Sequence, residues 1–192
     1  MIPKYPLATS SWDQAEYDAL DRVIKSNQFT MGPMGPEVPA FEEQFARQFG
    51  SRYAVMVNSG SSANLLIVAA LRYTQNDKIK ILEGDEIIVP AVSWSTTYFP
   101  LQQYGLKLKF VDIDLNTLNY NIKALKDAVT DETRAIMVVN LLGNPNDFDA
   151  INNIIDGRKI VMIEDNCESM GATFNGRQAG TFGIAGSFSG FF

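Results

Sequence analysis

KIVMIEDNCES (159–169) is an apolar run that stops abruptly at two carboxylates, Glu164 and Asp165. Ile160 to Ile163 carry no polar interruption, which suits a strand covered on both faces rather than one with a wet side. In open α/β sheets, ligands bind beyond the carboxyl ends of such strands, so the pair of acids stands at the rim where chemistry is expected. A carboxylate buried there needs a cation or hydrogen-bond donors; a solvated turn is the alternative. Glu168, three residues on, is a second candidate for the same crevice, and Cys167 reads as a small buried hydrophobe.

The same pattern repeats upstream. YAVMVN (53–58), DEIIVP (85–90), LKFVDI (108–113) and RAIMVVN (134–140) read as strands. Helical periodicity fills the intervals: SSANLLIVAALRY (61–73), STTYFPLQQYG (95–105, stopped by Gly105), NIKALKDAV (121–129) and NDFDAINNII (146–155). Five alternations of strand and helix predict a mostly parallel, doubly wound α/β sheet with helices on both faces. The VDID acids (111–114) read as a turn. At the end, Ser187 to Phe192 reads as a short strand-like stretch.

Two helices precede this core. Ser11, with Gln14 in capping-box spacing, opens the first. EVPAFEEQFARQFG (37–50) is the second, stopped by Gly50. NQFTMGPMGP (27–36) between them is a loop. This gives an N-terminal helix and loop segment, 1–35, and a large domain, 36–192.

Composition excludes several function classes. The chain has 192 residues, 46% hydrophobic and 20% charged, with a net charge of −6. That acidity argues against a nucleic-acid binder working through a basic face. A single cysteine and no histidine argue against a zinc site and leave no intramolecular disulfide framework. No apolar run approaches the roughly 18–20 residues that span a bilayer, and MIPKYPLATSSW shows no signal-peptide core. A cytoplasmic location without membrane or nucleic-acid partners is expected.

Two further strand ends carry candidate residues. NSGSSAN (58–64) places Gly60 and Ser61 at the start of a helix, where free N–H groups and the helix dipole can hold a phosphate; a plain N-cap is the alternative. AVSWST (91–96) places Trp94 just past a strand, either as core or as a platform for a planar ring.

Read in order, NSGSSAN, GDEIIVPAVSWSTT, FVDID, IEDNCESMGA and AGTFGIAGSFS resemble the DegT/DnrJ/EryC1/StrS sugar aminotransferases, PLP-dependent enzymes of fold type I. YPLA, FTMG, NLLGNPN and EDNCESMGATF make the chain most similar to a divergent branch, the nucleotide-sugar 3-dehydratases of the colitose pathway. The resemblance implies a PLP-binding large domain truncated before the C-terminal domain. It implies pyridoxal or pyridoxamine 5′-phosphate as cofactor, held at Gly60, Ser61 and Ser189, stacked on Trp94 and paired through its ring nitrogen with Asp165. Glu168, where ordinary aminotransferases carry Gln, is a further cofactor-side residue and a candidate catalytic group. The implied reaction removes the C3 hydroxyl of a GDP-linked 4-keto-6-deoxy sugar, with glutamate as amino donor, in a homodimer.

The family's base position falls about two residues past Phe192. Lys159, Lys123 and Lys126 do not fit it. An aminotransferase with a Schiff-base lysine beyond the terminus is therefore the alternative reading, and a non-catalytic, PLP-binding fragment or degenerate homologue is the alternative of another class. The 192 residues alone are expected to be inactive.

Overall fold

A computed structural model of the chain describes residues 12–28 and 35–190. They fall into two units divided between Met56 and Val57. The first holds α1 (Gln14–Ser26) and α2 (Glu37–Phe49). Ser11 lies outside the described residues, and the cap of α1 is Asp13. Its carboxylate accepts the Ala15 N–H at 2.7 Å, and Glu16 reaches back to the Asp13 N–H at 2.7 Å. The acid pair wins because both halves of the box are filled reciprocally. α2 ends at Gly50 in the left-handed conformation, φ 69°.

The expected strand at 53–58 does not form. Tyr53 and Val55 are largely exposed, and the Met56 N–H donates to the Glu42 carboxylate at 2.8 Å instead of to a ladder. β-Prone composition marks a segment that could pair; a strand exists only where a neighbour supplies the other half of the ladder.

The second unit carries α3 (Gly60–Tyr73), β1 (Glu86–Pro90), α4 (Ser95–Gln103), β2 (Lys107–Val111), α5 (Ile122–Ala128), β3 (Thr133–Val139), α6 (Phe148–Ile155) and β4 (Val161–Asp165). A two-stranded hairpin follows, β5 (Thr173–Phe174) with β6 (Arg177–Gln178), which the sequence pattern did not signal, and then β7 (Gly186–Ser187). The order β2–β1–β3–β4–β7 is parallel throughout. β7 covers two residues, Gly186 and Ser187, not the whole of 187–192; Phe188 to Gly190 form no ladder, and Phe191 and Phe192 lie outside the described residues. β2 stops at Val111. The acids beyond it form the expected turn, Asp114 Oδ1 accepting the N–H groups of Asn116 and Thr117.

Alternation along the strands builds two cores. Ile87, Val89, Met137, Val161 and Ile163 face α3 and α4, meeting Val68, Leu71 and Leu101. Ile88, Ile136, Val138 and Met162 face α5 and α6, meeting Leu125, Phe148 and Ile151. Helices thus cover both faces of the sheet, and the central strands are apolar without interruption for that reason. The same alternation sends Asp165 to the α3/α4 face and Glu164 to the other.

Phe148 is fully buried, stacked on Phe182 with ring centroids 3.9 Å apart and edge-on to Phe174. Phe148→Ala is expected to lower the unfolding free energy by about 3–5 kcal/mol, read from urea denaturation; a loss below about 1 kcal/mol would contradict this packing.

Candidate active site

Asp165 closes β4 and is buried, 6% exposed. Its Oδ2 accepts Asn64 Nδ2 from α3 and the Thr97 hydroxyl from α4, each at 2.8 Å. Its Oδ1 accepts the Cys167 N–H at 3.2 Å and the Ser187 hydroxyl at 3.4 Å. Every one of these donors is neutral, and no cation forms an ion pair with Asp165 among the described residues. The carboxylate is oriented and hydrogen-bonded, while no cation of the described residues compensates its charge.

Thr97 commits its single hydroxyl proton to Asp165, so Ser93 is the donor in the 2.8 Å contact between Ser93 and Thr97. Asn64 Oδ1 is buried and has no partner among the described residues. The Asn64 amide is therefore fixed by what Asp165 requires, with its other end unsatisfied. Asn64 and Thr97 were not found from the sequence. Both were visible, in NSGSSAN and in the helix after Trp94, but nothing in either segment says that two separate helices reach one carboxylate.

The start of α3 lies beside this centre. Ser59 caps it, its hydroxyl accepting the Ser62 N–H at 3.1 Å. The N–H groups of Gly60 and Ser61 are left without an acceptor among the described residues, at the positive end of the helix. Gly60 is required for packing: a Cβ there would stand 2.4 Å from Cys167 Sγ and 3.2 Å from Ser189 Cβ. That near-contact places Ser189 against the first turn of α3. The Ser61 hydroxyl donates to Thr96 at 2.9 Å and ties the starts of α3 and α4 together. Trp94 precedes α4 and is 70% exposed, so it is not a core residue. Gly60, Ser61, Asp165 and Ser189 are thus gathered around one helix start, with Trp94 on the adjoining turn.

Glu168 is exposed and turned toward the 3-10 turn Leu141–Gly143 that follows β3, accepting the Leu142 N–H at 3.2 Å. Next to it, Ser169 accepts the Gly143 N–H at 2.9 Å. A buried amide network, Asn140, Asn146 and Asn166, holds the same turn. The two clefts of about 370 and 520 Å³ lie elsewhere, lined by residues such as Lys126, Arg158, Asp77 and Glu132 around the amino ends of the strands. In the larger of them the Arg134 guanidinium is already taken up by the carbonyls of Lys78, Lys80 and Lys159, whereas the buried carboxylate of Asp165 stands at the strand carboxyl ends. Among the described residues, no cluster of His, Cys, Asp and Glu could hold a metal ion, and no helix is long and apolar enough to cross a membrane.

Burial sets two ionisation states. Burial pushes the Cys167 thiol up to about 12, reinforced by the charge of Asp165. Burial also raises Glu164 above its ordinary 4.5, against the opposing pull of the N–H groups that bond it. The folded state therefore holds the Glu164 proton more tightly than the unfolded chain. The stability from this difference is complete below pH 4.5 and is lost as pH rises through the folded value. In urea titrations, the stability of the wild type relative to Glu164→Gln is expected to fall as pH rises above 4.5; a flat or rising difference would contradict the burial. At pH 8 (an alkylation condition), Cys167 in the folded chain is expected to react with iodoacetamide at least about 100-fold more slowly than in the unfolded chain; equal rates would show the thiol to be open.

Comparison with known proteins adds a second line. The model of the DegT/DnrJ/EryC1/StrS aminotransferase family matches residues 10–192. GDP-4-keto-6-deoxy-D-mannose 3-dehydratase of Escherichia coli O55:H7 is 64% identical over 188 residues, 98% of this chain and 47% of that protein. The solved structure of the E. coli GDP-4-keto-6-deoxy-D-mannose-3-dehydratase with bound hydrated PLP superposes with a TM-score of 0.93 at 63% identity, covering 98% of this chain and 47% of the other. A structure of GDP-4-keto-6-deoxymannose-3-dehydratase with a trapped PLP–glutamate geminal diamine gives 0.94 at 63% identity, covering 98% and 48%. The chain spans about half the length of the relatives it matches. Both the order of its strand-end motifs and a family match running through nearly every residue lead to one conclusion: the chain belongs to the DegT/DnrJ/EryC1/StrS aminotransferase family.

Proposed function

We propose that this chain forms the cofactor-binding part of a PLP/PMP-dependent nucleotide-sugar 3-dehydratase, which removes the C3 hydroxyl of a GDP-linked 4-keto-6-deoxy-hexose with glutamate as amino donor. The observation that carries this reading is the Asp165 carboxylate, buried at a strand end and met by neutral donors alone among the described residues. Such a group is poorly placed as a structural ion pair and well suited to a cationic heterocycle, because its charge is not already cancelled. The 64% identity to the E. coli 3-dehydratase supports the substrate class.

The residues present fit PLP on the chemistry of their donors. Asp165 would hold the ring nitrogen, and Asn64 and Thr97 would keep its carboxylate in one orientation. The free N–H groups of Gly60 and Ser61, with Ser189, would hold the phosphate. Trp94, exposed beside α4, would cover one face of the ring. Glu168 would line the sugar side. Bound PLP supplies the electron sink that makes C3 deoxygenation accessible. Homodimeric assembly, a cytoplasmic location and a role in colitose and O-antigen deoxysugar synthesis belong to the same reading, as does the division into a 1–35 segment and a 36–192 cofactor domain.

Titrating PLP into the chain is expected to change its near-visible absorption spectrum, with Asp165→Asn weakening binding by at least about tenfold and Trp94→Ala by a smaller factor. An unchanged PLP spectrum with the wild type, or wild-type affinity in Asp165→Asn, would overturn the assignment. Joined to the C-terminal half of the E. coli relative, the chain is expected to release ammonia from glutamate when given the GDP-linked 4-keto-6-deoxy sugar.

A further inference from the structure

Glu164 has no role in the reading above, yet it is a fully buried carboxylate one residue from Asp165. Strand alternation turns it away from Asp165 and toward the segment that leads into β7. Its Oε1 accepts the Gly183 N–H at 2.6 Å, and its Oε2 accepts the Gly180 N–H at 2.6 Å and Asn140 Nδ2 at 3.3 Å. Two backbone N–H groups three residues apart are thereby clamped on one side chain. Between them, the Phe182 N–H faces the same carboxylate, and its ring stacks on Phe148.

The clamped segment reaches the candidate site by direct contact. Gly180, at φ 86°, approaches Gly186 so closely that a Cβ on Gly186 would stand 2.1 Å from the Gly180 carbonyl oxygen. A Cβ on Gly180 would stand 2.3 Å from the Phe188 ring. Gly186 and Phe188 flank Ser187, and Ser189 follows against Gly60. The β4 backbone completes the register: Ile184 N–H donates to Met162 O at 2.8 Å, Glu164 N–H to Ala185 O at 3.0 Å, and Asn166 N–H to Ser187 O at 3.0 Å.

Charge chemistry favours glutamate here over its neighbours in size. Three donors converge on two oxygens. Glutamine would present one oxygen and turn an NH₂ toward a backbone N–H, and an apolar side chain would leave the buried Gly180 amide and the half-buried Gly183 amide unpaired.

We propose that Glu164 is a positioning residue: by clamping Gly180 and Gly183 it fixes the path of 180–189 and sets Ser189 against the first turn of α3. The proposal rests on the reading that this turn and Ser189 hold the cofactor phosphate. It places the two adjacent acids in complementary roles, Asp165 for the ring and Glu164, through the backbone, for the phosphate.

The test compares dissociation constants for PLP and for pyridoxal, which lacks the phosphate, by equilibrium dialysis against wild type, Glu164→Gln and Ser189→Ala. The wild type is expected to prefer PLP. Both variants are expected to lose roughly tenfold in PLP affinity while pyridoxal affinity stays within about twofold. Equal weakening toward both ligands in Glu164→Gln would show a general structural role and overturn the proposal. Loss of the preference in Ser189→Ala with its retention in Glu164→Gln would overturn the proposal alone. Retention of the preference in Ser189→Ala would overturn the phosphate reading and the proposal with it. Hydrogen exchange gives a readout without cofactor: peptides within 180–190 are expected to exchange faster in Glu164→Gln, and unchanged exchange would refute the clamp. Glu164→Asp, which keeps the charge but withdraws it by one methylene, is expected to reproduce the selective loss if the glutamine variant fails to fold.

Discussion

A carboxylate buried at the end of a parallel strand must be satisfied, and among the described residues Asp165 is satisfied by groups with no charge of their own. That requirement organises the second unit. Asn64 must come from α3, Thr97 from α4 and the Cys167 N–H from the turn after β4, so two helices and a loop are held in register around one side chain. Because hydrogen bonds orient the charge without cancelling it, the arrangement stays poised for a cationic partner. The helices that supply the donors also bring the other candidate groups: α3 an N–H pair without an acceptor among the described residues, α4 the exposed tryptophan at its cap.

Glu164 and Asp165 show how a period of two divides labour between neighbours. Adjacent in sequence and alike in chemistry, they are sent to opposite faces of the sheet. Asp165 meets side chains of distant helices. Glu164 meets backbone amides of the glycine-containing stretch that leads to β7. The glycines of that stretch allow the backbone to approach a carboxylate and another backbone at once, which side chains would prevent. The β4 strand therefore carries both the charge of the site and the strut beneath one of its walls.

Family resemblance and local geometry bear on different questions. The identity to 3-dehydratases bears on substrate class, which no single contact within these residues could specify. The hydrogen bonds bear on how the residues are held, which similarity does not state. Glu168 marks the boundary: the resemblance implies a place for it beside the cofactor, while its carboxylate accepts the Leu142 N–H, on the turn after β3.

By itself the sequence determined the strand and helix alternation from 85 to 165, the parallel α/β class and the strand ends at which the candidate residues stand, because apolar periodicity is a local property that each segment carries alone. It placed Trp94 and Asp165 at those ends, and Gly60 and Ser61 at the start of a helix. Tertiary structure decided the rest. It denied a strand to YAVMVN, since pairing needs a neighbour and composition supplies none. It moved the α1 cap to Asp13, where two acids act together. It drew Asn64 and Thr97, 101 and 68 residues from Asp165 along the chain, onto a single oxygen. Contacts of that kind depend on the crossing of elements in space, and no local pattern of residues encodes which crossings will meet.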